Sequence, residues 1–184
     1  RSVMDRLKWI GMLSSALLLV ACAHGSRPAY SPVVSDKYSN SPVAVKRVYV
    51  AAIMPGEYKV KIAQPMVKQF AEVFRRHEVG VATEVQVDNP LSLGGYNLSR
   101  SKKFNPDVYV LIKVASSESG NYFHHSRLVV DVFDKKSTGL WRGKTTLLRA
   151  DDVPKTSGQI ADDVVRNLIE ERVVSFVVSE EVVK

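Results

Sequence analysis

The residues able to do chemistry in this chain are few, and their spacing decides most of what they can be. His124 and His125 are adjacent. On a strand, neighbouring side chains point to opposite faces, so these imidazoles do not converge on one metal, and no third ligand follows at a recognisable spacing. Asp151-Asp152 and Asp162-Asp163 are paired carboxylates. The first pair reads as a turn ahead of Pro154. The second reads as the first turn of a helix, where the dipole stabilises negative charge. Gly94-Gly95 is a lone doublet and suits a flexible loop better than a phosphate cradle. No nucleophile elbow, phosphate loop or Ser-His-Asp arrangement stands out. The expectation is a protein without catalysis, cofactor or metal; the alternative is a hydrolase or transferase whose site follows no recognised pattern.

One thiol remains. Cys22 is the only cysteine, so it has no internal disulfide partner. It follows an uncharged run, Trp9 to Ala21, that is itself preceded by Arg1, Arg6 and Lys8 with Asp5 as the lone acid. A positive head, an apolar run and a small-residue exit describe an export signal. The run is too short for a bilayer span, which needs about 20 apolar residues. Its exit, Leu19-Val20-Ala21-Cys22, resembles the lipobox of bacterial lipoproteins. The resemblance implies that residues 1–21 are a signal peptide and that Cys22 carries covalent lipid, including a palmitate-type chain. It implies a membrane as partner, reached through that lipid. Two or more acyl chains hold a protein stably where one is marginal. Ala23 after the cysteine, in place of aspartate, implies the periplasmic face of the outer membrane, the inner membrane being the second choice.

Behind Cys22 the composition changes. Residues 22–44 are rich in Pro and Ser and lack periodicity, which reads as a flexible tether. Its ends would sit about 25 Å apart when coiled and about 70 Å when stretched. Residues 45–184 suit a single α+β periplasmic domain. The chain's net charge is +7, and residues 1–21 hold three basic and one acidic residue, which leaves +5 for the rest. A basic surface favours anionic neighbours such as lipid headgroups or peptidoglycan carboxylates. Nucleic acid is not expected in that compartment. The basic residues are scattered, with doublets at Arg75-Arg76, Lys102-Lys103 and Lys135-Lys136.

The periodicities give the elements. Val45–Ile53 is β-branched and closed by Pro55-Gly56, a first strand. Met66, Val67, Phe70, Val73 and Phe74 recur at helical spacing in a helix that begins near Gln64-Pro65. Residues 79–87 alternate as a half-buried strand, and 88–105 read as a long loop. Asp107–Ala115 is a central strand. Residues 127–134 and 139–148 form a hairpin around Lys135-Lys-Ser-Thr138. A last helix begins at Thr156-Ser-Gly-Gln159, which has capping-box spacing. The tail 173–178 suits helix or strand. The order β-α-β-β-β-β-α, with a possible further strand, implies a mixed or antiparallel sheet with two helices packed on one face.

Within this frame, Pro106-Asp107, then Asp131 and Asp134, then Trp141-Arg142-Gly143 resemble the domain pattern of a family of uncharacterised bacterial outer-membrane lipoproteins. In architecture alone, the order is also similar to curli-secretion lipoproteins and to lipoproteins that activate penicillin-binding proteins. These resemblances imply a fold and a location but no activity. Trp141 and Leu140 are expected on opposite faces of their strand, with Trp141 in the core or else exposed for recognition. Arg142 is expected to stack on a ring or to pair with Asp131 across the hairpin. The candidate partner-binding residues are Tyr96, Arg100, Lys102 and Lys103 in the long loop, with Trp141 and Arg142 on the hairpin. The expected partner is an envelope protein or an anionic envelope component. Nothing in the sequence sets an oligomeric state.

Overall fold

The β-branched runs become one mixed sheet in the computed structural model, which describes residues 28–87, 99–117, 126–148 and 152–177. Its strands are β1 (Val34–Lys37), β3 (Arg47–Met54), β4 (Gly80–Val87), β5 (Val108–Ser117), β6 (Ser126–Asp134) and β7 (Gly139–Leu147). Their order is β1-β7-β6-β5-β3-β4. β3 runs parallel to β4 and β5, and the other neighbours are antiparallel. β2 (Val43–Val45) and β8 (Val174–Phe176) pair in parallel as a separate ribbon.

Helix α1 (Gln64–Arg76) is entered through a 3-10 turn, Gly56–Tyr58, and a π turn, Lys59–Ala63, and crosses from β3 back to β4. Helix α3 (Val153–Glu170) begins at Asp152, whose carboxylate accepts from the Lys155 amide at 3.0 Å. Both helices share the face of the sheet that presents Val48, Val50, Val110, Ile112, Val130 and Val132. These pack with Phe70, Phe74, Ile160, Val164 and Leu168 into the main core. A short helix, α2 (Ser99–Phe104), ends on the opposite face, where Phe104 packs against Tyr49, Ala51 and Leu111. The expected α+β sheet with two helices on one face is thus the observed fold.

Both long helices stop on a left-handed residue that is not glycine. Glu78 (φ 60) and Arg172 (φ 54) hold these positions. In each case the next amide turns back to the last helical turn, Val79 to Phe74 O at 3.4 Å and Val173 to Leu168 O at 2.9 Å. The buried Val79–Phe74 and Val173–Leu168 pairs supply the apolar contact that accompanies such caps.

Several expectations change. Part of the stretch read as a tether belongs to the domain. Residues 29–39 run along β7, through Ser31 N to Thr146 O at 2.9 Å, the β1–β7 pairing, and Tyr38 N to Leu140 O at 2.9 Å. Tyr30 and Val33 reach the core edge. The segment looks like a linker because its affinity for the sheet lies in backbone hydrogen bonds, which composition does not reveal. The loop 88–105 contains α2 at its end. The last helix starts at Asp152 rather than at Thr156, and this moves Asp162 and Asp163 from a first turn into the body of α3. The tail resolves as strand β8.

Tyr30 also clasps α3. Its hydroxyl donates to Asp163 Oδ2 at 2.5 Å, and Asp163 further accepts from Arg166. Burial, and then the hydrogen bond to Asp163, push the phenol up to about 12 from 10.0. The folded state therefore keeps a proton that the unfolded chain loses near pH 10. The contribution of Tyr30 is fully present below pH 10 and is lost as pH rises towards 12. Unfolding midpoints of wild type and Tyr30→Phe should differ at pH 8 and converge across pH 10–12. A gap that is constant over that window would contradict the clasp.

Candidate functional site

The hairpin motif explains itself by alternation. Trp141 and Gly143 point to the helical face and Arg142 to the open face. Trp141 is 1% exposed, and its indole lies over Gly143. A Cβ at position 143 would sit 2.3 Å from Trp141 Cη2 and 3.2 Å from Val33 Cγ1, so only glycine leaves room for the ring. Trp141 Nε1 donates to Glu171 Oε2 at 3.0 Å, just beyond α3. Leu140 is buried in the same core and not on the opposite face as expected. The register shifts between Val132/Trp141 and Phe133/Gly139, so Leu140 is an extra, bulged residue whose side is not set by alternation.

On the open face, Asp131 stands directly opposite Arg142, as the hairpin spacing suggests. Arg142 Nε donates to Asp131 Oδ1 at 2.5 Å, and Lys113 Nζ approaches Oδ2 at 3.4 Å. Asp131 is only 3% exposed, so one buried carboxylate is held between two partly exposed cations. The hydrogen bond to Asp131 raises the Arg142 pKa further. The guanidinium is engaged within the sheet. Nearer β4, Glu84 accepts from the Tyr49 hydroxyl and from Gln86 Nε2 at 3.0 Å.

The topology also gathers charge. The starts of β3, β5 and β7 and the end of β6 lie at one end of the sheet, as the pairs Val48–Val108, Val108–Asp134 and Phe133–Gly139 require. Lys46-Arg47 enters β3 there, Lys135-Lys136 turns from β6 to β7 there, and Lys102-Lys103 immediately precedes Phe104. Phe104 Cζ would lie 4.0 Å from a Cβ on Gly80 at the start of β4. All six basic side chains are exposed. The aspartates between them serve the backbone. Asp107 Oδ2 accepts from the Lys46 and Arg47 amides at 2.9 and 3.0 Å. Asp134 Oδ1 accepts from the Lys136 and Thr138 amides, both at 2.8 Å.

Of the residues expected to bind a partner, Lys102 and Lys103 are exposed on α2. Arg100 lies in α2, with its side chain outside the described ones. Trp141 is inside the core, because its ring fills the space over Gly143, and is not available for recognition in this conformation. Cys22, Tyr96, Gly94-Gly95, His124-His125 and Asp151 lie outside the described residues. Lys46-Arg47 is a doublet that the sequence reading passes over, because it opens a β-branched run. Among the described residues, no group of three or more His, Cys, Asp or Glu is placed to hold a metal ion, and no helix is long and apolar enough to cross a membrane.

No protein-family model matches the chain, and no curated protein matches it either. Among solved structures, it is similar to PelC from Paraburkholderia phytofirmans, a dodecamer. One crystal form is 12% identical over 73% of this chain and 96% of that one, with a TM-score of 0.47. A second is 11% identical over 78% and 99%, with a TM-score of 0.46. A neuraminyllactose-binding hemagglutinin homolog from Helicobacter pylori is 11% identical over 73% and 87%, with a TM-score of 0.27.

Replacing Gly143 by alanine should cost about 1–3 kcal/mol, the usual penalty for forcing an extra methyl into a filled site. Urea denaturation followed by tryptophan fluorescence reads this directly. An unchanged midpoint would show that the indole has other room.

Proposed function

We propose that this chain is a bacterial lipoprotein, exported and acylated at Cys22, and held at the periplasmic face of the outer membrane. There it acts as a non-catalytic binding or assembly module of the cell envelope. The observation that carries the proposal is Leu19-Val20-Ala21-Cys22 at the exit of an apolar run with a positive head. The exposed basic end of the domain supports the second half, since clustered cations favour anionic neighbours.

The docking of residues 29–39 sharpens the geometry. Ala29 O accepts from Leu148 N at 2.8 Å, so the chain is fixed to the domain from there on. Seven residue steps separate Cys22 from Ala29, and these reach at most about 25 Å. On this reading the domain works close to the bilayer, within a third or so of the reach of a free 22–44 tether.

Changing Cys22 to serine should abolish incorporation of labelled palmitate and release the protein from the membrane fraction, or leave its signal uncleaved. A Cys22→Ser protein that still takes up label and still fractionates with outer membranes would sink the proposal.

A further inference from the structure

We infer that the basic end of the sheet is a binding site for peptidoglycan, a cell-wall glycan whose peptide stems carry carboxylates along its length. The inference rests on the envelope location proposed above and names the ligand class of the binding module. The site is built from Lys46-Arg47, Lys102-Lys103 and Lys135-Lys136, three doublets remote in sequence that strand order brings to one rim. Asp107 and Asp134, the acids set among them, are occupied by backbone amides. The exposed acids Glu78 and Glu170 at the helix ends are matched in number by Arg75 and Arg172. Among the described residues these six cations form no salt bridge and outnumber the two carboxylates, so the rim carries an excess of positive charge.

Three observations choose the occupant. The first is shape. From β1 to β3 the rim crosses four strand spacings, about 19 Å, which suits a ligand with several anionic groups in a row better than a single small anion. The second is the apolar content. The exposed aromatic on this rim is Tyr38, 54% exposed, whose ring edge would lie 3.9 Å from a Cβ on Gly139 beside the Lys135-Lys136 turn. The buried centre of a protein interface is usually apolar and depleted of charge. One flat ring beside cations instead offers a face for a sugar ring and charges for the carboxylates of its peptide stems. The third is direction. The chain from Cys22 joins the domain beside Leu148, at the far end of β7, about 26 Å along the strand from Gly139. The tethered end meets the bilayer, and the basic end faces away from it. Lipid headgroups are therefore the poorer occupant.

The test is co-sedimentation of the full chain, in detergent, with purified peptidoglycan sacculi. Wild type should pellet with the sacculi, and its retention should fall as salt rises. The variant Lys46→Gln, Arg47→Gln, Lys135→Gln, Lys136→Gln should bind about tenfold more weakly or worse, as expected for cations beside an anionic surface. A charge-matched control, Lys59→Gln, Lys68→Gln, Arg127→Gln, Lys155→Gln, removes four exposed cations from elsewhere and should stay within about twofold of wild type. Tyr38→Ala should weaken binding while keeping its salt dependence. Circular dichroism of each variant checks that the fold persists, and all these side chains are exposed. The inference is overturned if wild type stays in the supernatant, if the control loses as much as the rim variant, or if the rim variant pellets like wild type. Stronger retention on phosphatidylglycerol vesicles than on sacculi, lost in the rim variant and kept in a Cys22→Ser background, would also overturn it in favour of a lipid surface. Pelleting does not depend on acylation, so its failure leaves the Cys22 reading standing, and a failed palmitate test leaves the rim standing.

Discussion

Glu171 closes α3, and its carboxylate accepts from two other parts of the chain, Trp141 Nε1 at 3.0 Å and Ser35 Oγ at 2.5 Å. Its carbonyl accepts from Lys37 Nζ at 2.6 Å. Helix α3, strand β7 and strand β1 are therefore fastened at one residue. Hydrogen bonds to a charged acceptor are each stronger than neutral ones, and the indole donor is in the core, where an unmade bond is costly. Much of the hairpin's geometry follows. The indole lies over Gly143 as it reaches Glu171, position 143 must be glycine to let it, and the bulge leaves Leu140 buried in the same core. The Trp-Arg-Gly triplet is then a packing device. Its middle residue is directed by alternation to the other face, where it compensates Asp131.

The same fastening determines how the amino-terminal segment behaves. With Tyr30 bonded to Asp163 and Ser35 to Glu171, residues 30–37 span two turns or more of α3 from the β1 edge of the sheet. A strand of four residues makes few ladder hydrogen bonds of its own. Side-chain bonds at both ends, together with the Ser31 and Thr145 contacts, supply the rest: Thr145 Oγ1 donates to Ser31 O at 2.6 Å and Thr146 N to Ser31 Oγ at 2.8 Å. Stability and reach are thus linked. The polar bonds that order this segment make it part of the domain, so residues 29–39 are not free to act as a linker.

What was legible in the sequence was what depends on periodicity. The strands β3 to β7, the helix stripe Met66–Phe74 and the Asp131–Arg142 pair all follow from residues whose spacing is set by one element or one hairpin. Features joining elements remote in sequence were not legible. Trp141 and Glu171 are 30 residues apart, and Tyr30 and Asp163 are 133 apart. Nothing local tells a serine-rich edge strand from a linker, or an in-register Leu140 from a bulged one. The basic rim lies between these cases. Lys102-Lys103 and Lys135-Lys136 stood out as doublets and Lys46-Arg47 was hidden at the start of a β-branched run, but that the three share one end of a sheet depends on strand order, which pairs β3 with both β4 and β5.

One structural reason for cations at this end deserves to be weighed against a ligand. Helices α1 and α3 both terminate there, and the negative ends of their dipoles stabilise nearby positive charge. That field is effective only within the last turn of a helix, and it accounts well for Arg75 and Arg76 on α1 and for Arg172 beyond α3. It does not account for Lys46, Arg47, Lys135 and Lys136, which sit at strand ends and belong to no helix. Nor do they serve as ion-pair partners among the described residues, where none of the salt bridges includes them. Gathering uncompensated like charge on a small domain works against compactness through self-repulsion. Cations that neither cap a helix nor neutralise a buried acid are free to meet the anionic ligand inferred above.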